Sequence, residues 1–148
     1  MDKTDKAILN IINRSFPLEE RPYKIIAERI GTDEHDLIKR VGKMIKSGII
    51  RRTGATIEKH QIGWYSTLCA IDVPSDRIDK YADVVNAYPE VTHNYVRSGH
   101  PNCWFTLITP NRSRCCEIIK DIHATLGIEI LDLPAKRIFK IAVGFQLD

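Results

Sequence analysis

The chain has 148 residues, 43% of them hydrophobic and 28% charged, with a formal net charge of +3. That length holds one large domain or two small ones, and the balance excludes a disordered or fibrous chain. No apolar run is long enough to cross a bilayer, and Met1-Asp-Lys-Thr-Asp5 lacks the charged-then-apolar layout of a secretory leader, so the cytoplasm is the expected location.

The first half reads as helical. Residues 3–13 carry an apolar stripe of Ile8, Leu9, Ile11 and Ile12, with Asp2 or Thr4 as the cap. Phe16 to Pro22 reads as a loop, and Pro22 suits the first position of a short helix that runs to about Ile30 and stops at Gly31. Thr32 is the expected cap of a third helix over 33–46, with Leu37, Ile38, Val41, Met44 and Ile45 turned inward and Ser47-Gly48 ending it. Ile49-Ile50-Arg51-Arg52 then enters a strand. Helix, short helix, glycine turn, longer helix and strand is a winged helix-turn-helix layout.

The second half changes character near Thr53–Gly63. Tyr65–Val73 reads as a strand, and Pro74-Ser75 opens a helix to about Ala87 with Ile78, Tyr81, Val84 and Val85 inward. Val91–Arg97 and Cys103–Ile108 read as strands, Asn111 caps a helix through about Leu126, and 128–131 and 137–143 read as closing strands. The order β-α-β-β-α-β is a ferredoxin-like unit. The expected fold is therefore α+β, with a winged helix-turn-helix over 1–60 and a ferredoxin-like domain over 61–148. Cys69, Cys103, Cys115 and Cys116 show no metal-finger spacing and are expected as buried thiols; the adjacent pair falls in a helix, where neighbouring side chains diverge, so no bridge is expected between them.

Val91 to Thr109 carries the densest chemistry. Alternation along the first strand puts His93, Tyr95 and Arg97 on one face. An imidazole, a phenol and a guanidinium make a poor core and suit a pocket for a flat, anionic ligand. His60 and His100 fall in turns, and His35 and His123 on helix surfaces, where they are expected to be bystanders. Arg51 and Arg52 alternate, so one of the two is expected to face a pocket.

Lys6-Ala-Ile-Leu-Asn-Ile-Ile12, Ile26-Ala-Glu-Arg-Ile-Gly31 and Gly48-Ile-Ile-Arg51, set in this architecture, resemble the Lrp/AsnC group over nearly the whole chain. Phe16-Pro-Leu with Arg21-Pro-Tyr23, Arg51-Arg-Thr-Gly-Ala55, His60-Gln-Ile-Gly63, Val91-Thr-His-Asn-Tyr-Val-Arg97 and Phe139-Lys140 resemble one branch of it, the siroheme decarboxylases. The resemblance implies a lyase that converts two acetate side chains of siroheme to methyls, on the alternative route to haem and haem d1. It implies no cofactor beyond the iron that the substrate carries. It also implies pairing through the ferredoxin-like domains, with a related subunit or with a second copy. Members commonly carry a Trp-Pro-Tyr-Asn-like stretch after the His-x-Tyr-x-Arg strand; here it reads Asn102-Cys-Trp-Phe-Thr106, and Trp104 keeps the aromatic character. That departure leaves two roles open, the less active partner of a hetero-pair or a chain that pairs with itself.

Siroheme is flat, iron-bearing and polyacidic, and buried carboxylates need cations or donors. Arg51, Arg52 and Arg97 are the expected grips, because a guanidinium can hold a carboxylate with two bonds. His93 and Tyr95 are the candidate proton donors to the carbon left by decarboxylation. His60, His100 and Trp104 are further candidate contacts, and His93 or His100 is the candidate ligand to the substrate's iron; no metal site of the chain's own is expected. Two rivals are a DNA-binding regulator and a tetrapyrrole sensor without turnover. The third helix opens with Asp33, Glu34 and Asp36, which repel phosphates where base contacts usually lie, so nucleic acid is not the expected partner.

Overall fold

The computed structural model describes residues 1–141 and 144–148. They divide into two compact units, Met1–Ala55 with Lys140–Asp148, and Thr56–Phe139.

The first unit is helical. α1 (Lys3–Arg14) starts at a capping box: Asp5 N–H donates to the Asp2 carboxylate, and the Asp5 carboxylate accepts from Asp2 N–H. α2 (Pro22–Ile30) has the expected proline at its start and ends at Gly31, which takes a left-handed φ of 70° that other side chains resist. α3 (Glu34–Lys46) is capped by Asp33 and not by Thr32; the Asp33 carboxylate accepts from His35 N–H at 2.8 Å and Asp36 N–H at 3.2 Å. Ile8, Ile26, Ala27, Leu37, Val41, Met44 and Ile50 form the core where these helices meet. Ile38 and Ile45, expected inside, are 47% and 48% exposed. They lie beside the buried arc of α3, not on it, because Leu37, Val41 and Met44 already fill the contact with α1 and α2.

No strand forms over 49–58, so the alternation expected of Arg51 and Arg52 does not apply; both are exposed on irregular backbone. A strand needs a neighbour to take its backbone hydrogen bonds, and none pairs there. The last residues, assigned from sequence to the second domain, lie against α1. The Asn10 side-chain amide donates to the Leu147 carbonyl at 2.9 Å and accepts from Leu147 N–H at 2.8 Å. The closing strand expected over 137–143 is absent from 137–141, and 142–143 lie outside the described residues.

The second unit is the ferredoxin-like domain. A 3-10 turn (Lys59–Ile62) leads into β1 (Tyr65–Ile71), a 3-10 turn (Ser75–Arg77), α4 (Ile78–Asn86), β2 (Val91–Val96), β3 (Cys103–Thr109), α5 (Arg112–Leu126) and β4 (Ile130–Leu133). The sheet order is β2-β3-β1-β4, with every neighbouring pair antiparallel. α4 and α5 cover one face. Cys69, Ile71, Cys103, Phe105 and Leu107 pack there against Tyr81, Val85, Cys115, Ile118 and Ile122. The alternation of β3, buried and half-buried in turn, follows from one face meeting helices and the other not. β1 stops at Ile71, two residues short of expectation, where the chain turns into Asp72 and Pro74.

The four cysteines are free; Cys69, Cys103 and Cys115 are buried as expected, while Cys116 is only half-buried. Burial pushes the Cys115 thiol up to about 11, and those of Cys69 and Cys103 upward as well. The thiolate is the reactive form, so iodoacetamide should modify half-buried Cys116 first and the other three only in denaturant, read by intact mass.

Glu90, just before β2, accepts from Arg114 Nε at 2.9 Å, and this hydrogen bond holds its carboxyl below its ordinary value of 4.5. A carboxyl depressed in the fold stabilises above its unfolded value and loses that contribution as pH falls through its folded one. Glu90→Gln should therefore flatten the dependence of stability on pH below about 4.5, read by denaturant midpoints across an acid series.

Candidate active site on the sheet face away from the helices

The face of the sheet opposite α4 and α5 carries the chemistry. Register sets Tyr95 across from Trp104, and His93 across from Thr106. An irregularity between Val91 and His93 lets Val91 stay with the core while His93 and Tyr95 take the other face. Asn94 points the opposite way and accepts from the Tyr81 hydroxyl at 2.5 Å, which locks β2 against α4.

The His93 and Tyr95 rings lie parallel within 26°, with centroids 6.1 Å apart. The Arg97 guanidinium carbon sits 5.9 Å from the centroid of the Trp104 ring. That distance is within cation–π range and keeps the planar fork over a flat aromatic surface. His93, Tyr95, Arg97 and Trp104 thus form one continuous patch of aromatic rings and positive charge. His93, Tyr95 and Arg97 are exposed and Trp104 is half-buried, so the patch presents ring faces and donors to whatever covers it. Leu68, Leu131 and Leu133 extend the same face as exposed aliphatics through β1 and β4.

The loop between β2 and β3 is tied down. Arg97 N–H donates to the Asn102 carbonyl at 2.7 Å, and Trp104 Nε1–H to the Pro101 carbonyl at 2.8 Å. The Asn102 side chain donates to the Val73 carbonyl at 2.7 Å and accepts from Val73 N–H at 2.8 Å. His100 stands on this loop with Nδ1 2.7 Å from an Asp72 carboxylate oxygen. Ala70, Ile71, Asp72, His100, Pro101, Glu129 and Leu131 line a cavity of about 300 Å³ beside it.

The other expected residues are not in this patch. His60 is exposed in the 3-10 turn, and Arg51 and Arg52 belong to the helical unit. His35 is exposed on α3, and half-buried His123 places Nδ1 2.9 Å from the Ile128 carbonyl, an end-of-helix contact. Sequence reasoning missed Asp72 and Thr106. The period of β3 signals Thr106 once Trp104 is placed; only the fold brings Asp72 to His100, 28 residues away. Among the described residues no group of three or more metal-binding side chains forms, and no helix is long and apolar enough to cross a membrane.

Residues 5–51 match the model of the siroheme decarboxylase NirDL-like HTH domain, and 61–140 that of the AsnC-like ligand binding domain. The siroheme decarboxylase alpha subunit of Desulfovibrio desulfuricans is 45% identical over 148 residues, all of this chain and 86% of that one. The crystal structure of the siroheme decarboxylase NirDL superposes with a TM-score of 0.72 at 30% identity, over 98% of this chain and 48% of the other, so the chain spans about half of NirDL. NirDL has also been solved in co-complex with an iron-uroporphyrin III analogue; that structure matches with a TM-score of 0.71 at 28% identity, over 97% of this chain and 48% of the other. With both domain models matched and a relative 45% identical over the whole of this chain, the chain belongs to the siroheme decarboxylase family.

Proposed function

We propose that this chain is a siroheme decarboxylase subunit, a carbon–carbon lyase that turns two acetate side chains of siroheme into methyls and yields didecarboxysiroheme. The observation that carries the reading is the patch on the sheet, where stacked His93 and Tyr95 adjoin Arg97 over Trp104. Aromatic faces suit a flat ring. A fork-shaped cation suits its carboxylates.

Loss of carbon dioxide leaves an electron pair on the exocyclic carbon, and the conjugated substrate can delocalise it. A proton must then reach that carbon. His93 is the proposed donor, with Tyr95 beside it to hold the ring plane or to donate in its place. Arg97 grips a carboxylate that does not react, which fixes the acetate in the reactive position. His60 is proposed to meet another carboxylate on the strength of the resemblance. The iron arrives with the substrate, and no further cofactor is proposed. The relatives carry subunit names, so the active form is proposed to contain a related subunit or a second copy of this chain.

The helix-turn-helix is not proposed to read DNA. Arg40 of α3 bonds Asp2 at 2.7 Å, Asp5 at 2.9 Å and Asp36 at 2.7 Å, so a cation of the recognition helix is engaged by carboxylates of its own unit. A salt-dependent gel shift should show no sequence-specific complex.

The deciding experiment adds siroheme anaerobically, with and without a related partner chain, and weighs the product. Loss of two carbon dioxide units is the expected result. Bound but unchanged siroheme in both arms would make the chain a sensor instead.

A further inference from the structure

We propose that the helical unit carries a pairing surface for a second copy of this chain, in which the Leu18-Glu19-Glu20 tip of one copy seats on the outer face of α3 of the other. The inference concerns the helical unit and stands apart from the reaction at the sheet.

The outer face of α3 has the shape of a contact. Ile38, Gly42 and Ile45 follow one another at helical spacing, and both isoleucines are half exposed. Gly42 lies inside the helix, where glycine is a weaker helix former than alanine. Its φ is not positive, and a methyl added there would meet nothing within 4 Å. Neither a turn nor a neighbour in this chain requires a glycine at that position. A hollow between two aliphatic knobs is what a surface from another chain needs in order to come close.

A second row runs beside the first. Lys39, Lys43 and Lys46 repeat the same spacing one residue on, and all three are exposed. None of them forms an ion pair among the described residues, since Asp2, Asp5 and Asp36 are held by Arg40. An aliphatic row beside three unpaired cations calls for an occupant that is both apolar and acidic. Duplex DNA brings the charge but meets Ile38 and Ile45 mostly with phosphate and sugar. A second α3 brings the aliphatics but sets lysines against lysines.

The loop before α2 has both properties. Leu18 is 96% exposed, and Glu19 and Glu20 beside it are exposed and form no ion pair among the described residues. The tip stands on a fixed base. Pro17 is buried, the Phe16 and Tyr23 rings meet edge to face at 5.9 Å, and Arg21 pairs with Glu34 in the first turn of α3. Such ordering before contact reduces the entropy lost on pairing. The Arg21–Glu34 pair also keeps the tip at the first turn of its own α3, about 13 Å along the axis from Lys43. The lysine row it can neutralise is therefore that of another copy. Tip and face belong to one unit, so two copies can exchange the contact about a two-fold axis.

The test uses the full-length chain carrying Cys116→Ser, which removes the cysteine that is not buried. Chains with Leu18→Cys are mixed with chains with Gly42→Cys, oxidised mildly, and read on a non-reducing gel with mass spectrometry of the linked peptides. A disulfide joining positions 18 and 42 of different chains is the expected result. Glu19→Lys with Glu20→Lys in the first chain should lower its yield about 10-fold or more, as like charges are forced together. Adding Lys43→Glu with Lys46→Glu to the second chain should restore it, an effect that loss of folding cannot produce. Absence of the mixed disulfide, or a yield indifferent to both reversals, overturns the proposal. A Leu18→Cys chain that links to a related subunit and never to a second copy overturns the choice of occupant. A duplex DNA complex that Lys43→Glu and Lys46→Glu abolish, with no disulfide formed, makes the row a nucleic-acid surface instead. Siroheme turnover is measured separately, so failure here leaves the decarboxylase reading in place.

Discussion

Replacement of His93 by Ala should lower siroheme decarboxylation by about 10²- to 10⁴-fold, the range of one general acid, while leaving much of the binding. The imidazole projects from the face of β2 away from the helices and stacks on Tyr95 at 6.1 Å. Truncation there opens no cavity, because the residue is exposed and contributes nothing to the core under α4 and α5. Arg97 and Trp104 keep their own contact, so the grip on the ring and its carboxylates survives. The loss should appear in turnover and not in KM, since a proton donor acts where charge develops on the reacting carbon. Anaerobic assays with product mass, beside a binding titration of the same variant, separate the two quantities. Full activity in His93→Ala would remove the imidazole from the mechanism and move the proton to Tyr95, for which Tyr95→Phe is the companion variant.

The largest effect on stability is expected at Phe105. Its ring is fully buried in the middle of β3, 6.4 Å from the ring of Tyr81, inside the cluster that joins the sheet to α4 and α5. Phe105→Ala should cost about 3–5 kcal/mol, because the transfer energy of the ring is lost and a void remains that rigid neighbours cannot fill. The unit has little room to relax: Tyr81 is pinned by its hydroxyl to Asn94, and Leu107 and Cys103 lie on the same strand face. The change also reaches the site, since Trp104 and Thr106 flank Phe105 on the opposite face. Urea unfolding of the variant measures the cost. A loss below about 1 kcal/mol would mean that the ring is not packed as the structure shows.

Much of the fold was readable in advance, and particular residues show why. Pro22, Gly31, Asn111 and the apolar stripes act through local backbone geometry, so the helices appear where pattern and caps place them. Strands β2 and β3 follow from alternation, which also sorted His93, Tyr95 and Arg97 onto one side. The failures are of another kind. Thr32 and Asp33 are adjacent caps of similar strength, and the carboxylate that reaches two amides prevailed. Strands expected after α3 and over 137–141 did not form, because a strand exists only where another offers its edge.

By itself the sequence determined the order of elements, the helix-turn-helix beside a βαββαβ unit, the family, and which residues of β2 share a face. All of these depend on residues close along the chain or on motifs of fixed spacing. Only the tertiary structure decided that Arg97 lies over Trp104, that Asp72 meets His100, that Ile38 and Ile45 stay exposed, and that Leu147 returns to Asn10. Those contacts join positions far apart in sequence. They are selected by which surfaces remain unpaired once the helices and sheet have packed, a quantity that no local pattern encodes.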